Sequence, residues 1–124
     1  MGRGTAIKQA PQQANIPPRV VQLNAELGLA LRKYAQVELG RSRPGGTDVG
    51  VAMAKRIASG KPLDLKTIKK ISQYFPRHEV DRRHKDWGNE ERPSPGYVAY
   101  MLWGGDEGRD WSKQYAATHE STKR

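Results

Sequence analysis

Apolar residues along this chain recur in steps of three and four, and nowhere in the two-residue alternation of a half-buried strand. In "PPRVVQLNAELGLALRKYAQVEL" (17–39), Val20, Leu23, Leu27, Leu31 and Tyr34 fall on one helical face. Pro18 suits the first helical position, because its missing N–H would be unpaired there anyway. Gly40 suits a left-handed terminator. Gly28 weakens the middle of this helix and so points to a close contact with another one.

The pattern repeats downstream. After the turn "RSRPGGT", Thr47 is placed to cap "DVGVAMAKRIAS", where Val49, Met53 and Ile57 stand four apart. Asp64 is a good N-cap for a third helix, and Leu63 and Ile68 occupy the two positions of a hydrophobic staple. Leu65, Ile68, Ile71, Ser72 and Phe75 then share one face, and Lys66, Lys69, Lys70, Gln73 and Arg77 the other. Pro76 has no N–H to give, so this helix should kink or end there. Residues 81–94 are polar and read as a loop. Ser94 and Pro95 open "PGYVAYMLW", Gly104 and Gly105 break it, and Asp106 is placed to cap a last helix holding Trp111 and Tyr115. The fold class predicted is all-α: a compact bundle of four or five short helices over 18–118, with an extended basic tail at 1–17 and a frayed end at 119–124.

Charge changes the picture more than length does. The net charge is +9, but residues 41–85 alone hold twelve basic and four acidic side chains, and residues 86–111 hold two basic and six acidic. A cationic block attracts polyanions, nucleic acid first. The acidic block is also a ready internal partner for it. With no cysteine, a disulfide framework and a thiolate zinc site are excluded, and a reducing compartment is compatible. No apolar run approaches the ~18 residues of a membrane span. The expectation is a soluble protein with no membrane partner and no cofactor, working in a cytoplasm.

The stretch "SQYFPRHEVDRRHKDWG" (72–88) concentrates chemistry: two of the three histidines, three acids and four arginines or lysines. His78 and His84 are six apart, about 240° around a helix, so they diverge and cannot form a helical zinc pair. His78 and Asp81 could converge, but no third ligand or nucleophile stands near in sequence. An enzymatic reading using His78, Glu79 and Asp81, with a divalent metal for phosphodiester chemistry, is therefore the weaker alternative. The stronger is an ion-paired helix end, with Glu79 facing Arg82 and Arg83, and Asp81 facing Lys85. "WGGDEG" (103–108) lacks the lysine of a phosphate-cradling loop and fits a helix–helix turn. Trp103 and Trp111 read as core anchors, and Trp87, in a polar loop, as an exposed contact residue.

The cationic stripe is the best candidate for a binding function. Lys66, Lys69, Lys70 and Arg77 would contact phosphates, supported by Lys55, Arg56, Arg82 and Arg83. The two helices that carry most of it, joined by a Gly/Pro turn, suggest a helix-turn-helix unit, although "SGKPLD" is longer than the usual turn. Lysines suit phosphate better than base edges, so weak sequence preference follows.

"GGTDVGVAMAKRIASGKPLDLKTIKKISQYFPRHEVD", then "WG", then "PSPGYVAYMLWGGDEGRDW", resembles a small helical domain of unassigned activity found in tailed bacteriophages and prophages. That domain occurs alone or joined to head-associated proteins such as portal and maturation-protease polypeptides. The resemblance runs from about Leu29 to Tyr115 and departs at Pro76, where the family more often has a small helix former. It implies a phage setting, in the host cytoplasm or the virion, and no known chemistry. The resulting expectation is a basic, non-enzymatic phage protein that binds nucleic acid backbone. The alternative is a virion component or host-protein modulator acting through protein–protein contact with head proteins or a host protein.

Overall fold

A computed structural model describes residues 14–121. It contains α1 (Arg19–Val37), α2 (Asp48–Ala58), α3 (Leu65–Tyr74), a 3-10 segment (Pro76–Arg83), α4 (Pro95–Leu102) and α5 (Gly105–Ser121), and no strand among the described residues. The protein is all-α. No described helix is long and apolar enough to cross a membrane.

Local capping chemistry sets most of these boundaries. The Thr47 hydroxyl accepts from the Gly50 N–H at 3.2 Å, the Asp64 carboxylate from the Thr67 N–H at 2.8 Å, and the Ser94 hydroxyl from the Tyr97 N–H at 3.2 Å. Each satisfies one of the N–H groups that a helix start leaves unpaired. Leu63 and Ile68 are both buried, as a staple requires. Pro76 ends α3 and opens the 3-10 segment.

α1 lies against α2, α4 and α5, whereas α3 packs on α5 and the 3-10 segment joins α3 to α4. The core gathers Val21, Ile57, Ile68, Ile71, Phe75, Val98 and Leu102. α2 and α3 make no helix–helix contact. This overturns the helix-turn-helix expectation: the apolar face of α2 is taken by α1 and α4, that of α3 by α5, and the six-residue turn lets the two diverge.

The buried stripe of α1 is also not the one its large residues suggest. Val21, Ala25, Gly28, Leu31 and Ala35 face the core, while Val20 and Leu23 are 43% and 46% exposed. The reason is close packing. A Cβ on Gly28 would stand 2.5 Å from the Leu102 nitrogen, so small residues are needed where α1 crosses α4. In α2 the same holds: Gly50, Met53, Ala54 and Ile57 are buried, and Val49 is exposed.

The tail expected over 1–17 is packed from Ala14 onward. The Leu63 N–H donates to the Asn15 carbonyl at 3.0 Å, the Asn15 side chain returns a bond to the Leu63 carbonyl at 3.2 Å, and Pro17 is fully buried. Trp111 donates its indole N–H to the Ala14 carbonyl. The rest of the expected tail, residues 1–13, lies outside the described residues, as do residues 122–124 of the expected frayed end; α5 itself continues to Ser121.

Candidate nucleic-acid interface

α3 is the most amphipathic of the described helices and keeps Ile68, Ile71 and Phe75 of its predicted apolar face buried, whereas Leu65 and Ser72 are only half-buried and Leu65 turns to the lysine side. Thr67, Ile68, Ile71 and Tyr74 are buried, and Lys66, Lys70 and Gln73 are exposed on the other side. Leu65, Lys66, Lys69, Lys70 and Gln73 line a shallow groove of about 460 Å³. The greasy base of Leu65 and the lysine stems carry ammonium groups on its walls. Lys66 and Lys70 form no ion pair with any described residue.

Asp64 is an acid that feels two of the candidate cations. Its pKa is lowered, first by the hydrogen bonds it receives from the Thr67 side chain and backbone, and then by the charges of Arg56 and Lys66. Its carboxylate serves as the α3 cap. It moderates the positive potential at that end of the groove without closing an ion pair on either cation.

Lys55, Arg56 and Lys61 line a second groove of about 350 Å³ with Ser59, Pro62 and Leu63. Lys55 and Arg56 stand in the last turn of α2, where cations also offset the negative end of the helix dipole. Arg77 is exposed at the start of the 3-10 segment. Arg83 lines a separate hollow with His84, Asp81 and Ser94. The eight basic residues of the sequence-based candidate therefore occupy more than one surface, and the α3 groove is the one that brings three of them together.

Arg82 is engaged elsewhere. Its guanidinium donates to Asp106 at 2.8 Å and to the Tyr100 hydroxyl at 3.1 Å, and lies over the rings of Trp87 (5.2 Å) and Tyr100 (5.4 Å). Tyr100 donates its hydroxyl to Asp106 at 2.8 Å and also accepts from Arg109 at 3.3 Å. Arg109 reaches Glu79 at 3.5 Å and Asp110 at 2.9 Å. Asp106 and Asp110 of the acidic segment are thus tied to Arg82 and Arg109. Asp106 is a hub of this network and does not cap α5, whose first turn it occupies. Trp87 is not a free contact residue either: it is half-buried and meets Tyr97 and Tyr100 edge to face at 5.2 and 4.8 Å.

Burial shifts the network's titration. It disfavours the charged form of Asp106, but the hydrogen bonds from Tyr100 and Arg82 and the two guanidinium charges outweigh it, so the Asp106 pKa lies below the ordinary carboxylate value. The Tyr100 hydroxyl is pushed up to about 12, first by burial and then by its bond to Asp106.

The histidine-rich stretch folds as a tight helix, which changes its pairing. In a 3-10 helix residues three apart eclipse one another. Glu79 accordingly meets Arg82 at 3.9 Å and His78 meets Asp81 at 3.4 Å, whereas the i+4 pairs expected, Glu79 with Arg83 and Asp81 with Lys85, are absent among the described residues. The His78 ring stacks on Tyr74 at 4.2 Å, and Tyr74 on Trp103 at 4.9 Å. The His84 Nδ1 accepts the Asp86 N–H in a local turn. Among the described residues no three His, Asp or Glu side chains converge to hold a metal.

Sequence reasoning does not reach Asp106 and Tyr100 as partners of Arg82, nor Arg109 as the second cation of the same network. The excess of acid over 86–111 was the available signal, and it carries no address. No family model matches this chain, no curated protein is similar to it, and no solved structure resembles it.

Proposed function

We propose that this protein binds nucleic acid through the lysine groove of α3, by phosphate contacts and with weak sequence preference. The observation that carries the reading is an asymmetry. Glu79, Asp106 and Asp110 are tied to Arg82 and Arg109, while Lys66 and Lys70 project from α3 without a carboxylate partner among the described residues. The ammonium groups of Lys66 and Lys70 on one rigid helix face suit a phosphate backbone, which they meet as point charges. Lys69 completes the groove; Lys55, Arg56 and Arg77 extend the field. Arg82 serves as a strut that holds the 3-10 segment to α4 and α5. The setting proposed, the head or packaged genome of a tailed phage, rests on the resemblance of residues 29–115 alone.

A gel-shift titration with duplex DNA and single-stranded RNA at low salt tests the proposal. The parent should shift both, and the triple variant Lys66→Glu, Lys69→Glu, Lys70→Glu should shift neither while keeping its helical circular dichroism. Equal binding by parent and variant would end it.

A further inference from the structure

α1 carries a second regularity that its packing uses only in part: Leu27 touches the core and the Tyr34 hydroxyl donates to the Glu91 carbonyl, but the rest of the stripe is open. Val20, Leu23, Leu27, Ala30, Tyr34 and Val37 alternate in steps of three and four, the spacing of a coiled-coil seam. The core takes a different stripe, centred on Gly28. Of the five large hydrophobic residues left exposed among the described residues, three belong to this seam: Val20, Leu23 and Val37, the last 65% exposed. Ala30 is exposed, and Leu27 and Tyr34 are half-buried.

We infer that this seam is an interface for a second copy of the chain, packed antiparallel along α1. The charges beside the seam favour that occupant. Arg19, Glu26 and Lys33 stand seven apart along its open edge and are exposed, and Glu26 and Lys33 have no ion pair among the described residues. In an antiparallel pair centred between residues 28 and 29, Leu27 meets the second copy's Ala30, large against small where the helices are closest. Leu23 meets the second copy's Tyr34, and Val20 its Val37. Glu26 then lies beside the second copy's Lys33, and two-fold symmetry makes that pair twice. A parallel pair would turn the same edge toward Asn24, Leu31 and Glu38. There Asn24 is already bonded to Gly104 and Glu107, and Leu31 is buried.

One helix pair about 28 Å long gives a small interface, so the dimer is reversible, with a Kd on the order of 10 µM. α1 makes no contact with α3. The dimer therefore leaves both lysine grooves open and, if the proposed function holds, presents two of them to one polyanion.

Sedimentation velocity of the full chain without nucleic acid tests the inference. The expected result is a concentration-dependent monomer–dimer equilibrium that Leu23→Glu abolishes with helical content unchanged. Glu26→Lys and Lys33→Glu should each weaken the dimer about tenfold, since each replaces two attractions by two like-charge contacts. The double variant, or an equimolar mixture of the two single variants, should restore it. A monomer at every concentration overturns the inference, and so does a double variant that stays weak. A dimer that binds no DNA or RNA supports this inference while ending the proposed function. A monomer that binds them does the reverse.

Discussion

Replacing Gly28 by alanine sets helix propensity directly against packing. In isolation the change favours the helix by about 1 kcal/mol, because alanine fixes the backbone at less entropic cost. In the fold, the new methyl group would stand 2.5 Å from the Leu102 nitrogen, 2.8 Å from the Met101 carbonyl carbon and 2.9 Å from the Leu102 Cα. All three are backbone atoms, so no side-chain rotation relieves the overlap. Ordinary contact needs about 3.5–4.0 Å, so α1 and α4 would have to part by about 1 Å along their shared seam. Overpacking of this kind costs about 1–3 kcal/mol, and the rigid partner places it at the upper end. Net of propensity, the expected loss is about 2 kcal/mol. For a domain near 100 residues that lowers Tm by about 8–16 °C. Urea and thermal unfolding followed by circular dichroism would measure it. Gly40→Ala is the control: its φ of +64° strains a side chain, but no atom lies within 4 Å, so only about 1 kcal/mol should go. A Gly28→Ala protein as stable as the parent would refute the α1–α4 packing and, with it, the account of which α1 stripe is buried.

Other outcomes follow from the same structure. Ser94→Ala removes a buried cap that accepts the Tyr97 N–H and should lower unfolding free energy by about 1 kcal/mol in urea titrations. Asp106 has a lowered pKa in the fold, so its contribution is present above the unfolded value near 4 and is lost as pH falls through the lower folded one. Asp106→Asn should therefore lower Tm at neutral pH and flatten the parent's loss of stability in acid. Tyr100, raised to about 12, contributes fully below the unfolded value of about 10, and that contribution fades as pH climbs from there through the folded one. Burial raises Tyr74 and Tyr97 as well, so phenolate absorbance should show several tyrosines titrating late or only with alkaline unfolding, and Tyr100→Phe should reduce that late amplitude by one residue's share.

Much of the helical layout was legible because the signals that set it are local. Thr47, Asp64 and Ser94 cap N–H groups three residues away, and Pro76 and the Gly104–Gly105 pair stop helices through their own backbone geometry. The lysine face of α3 was legible for the same reason, since its ten residues carry a full amphipathic contrast. What failed were inferences that need to know which helix lies opposite. The large residues of α1 marked a stripe, but Ala25, Gly28 and Ala35 face α4 and its neighbours because small residues permit close approach, and a hydrophobicity pattern underweights them. Asp106 read as a cap by position; its partner Arg82 is 24 residues away, and no spacing rule reaches that far. Trp87 looked exposed for want of visible neighbours, which are supplied by Tyr97 and Tyr100 of α4. Glu79 keeps its expected partner Arg82, but the i+4 pairs with Arg83 and Lys85 do not form and Asp81 meets His78, because the 3-10 geometry after Pro76 brings residues three apart together.

The central claim is that the α3 lysines are a phosphate-binding surface, and the salt dependence of binding tests it most directly. With six basic contacts, from Lys55, Arg56, Lys66, Lys69, Lys70 and Arg77, fluorescence anisotropy on a short DNA duplex should give a slope of log K against log salt of about −5. Replacing Lys66 and Lys70 by alanine should bring that slope to about −3.5 and weaken binding alike on every sequence. A slope that the double replacement leaves unchanged, or no measurable binding at low salt, would contradict the account.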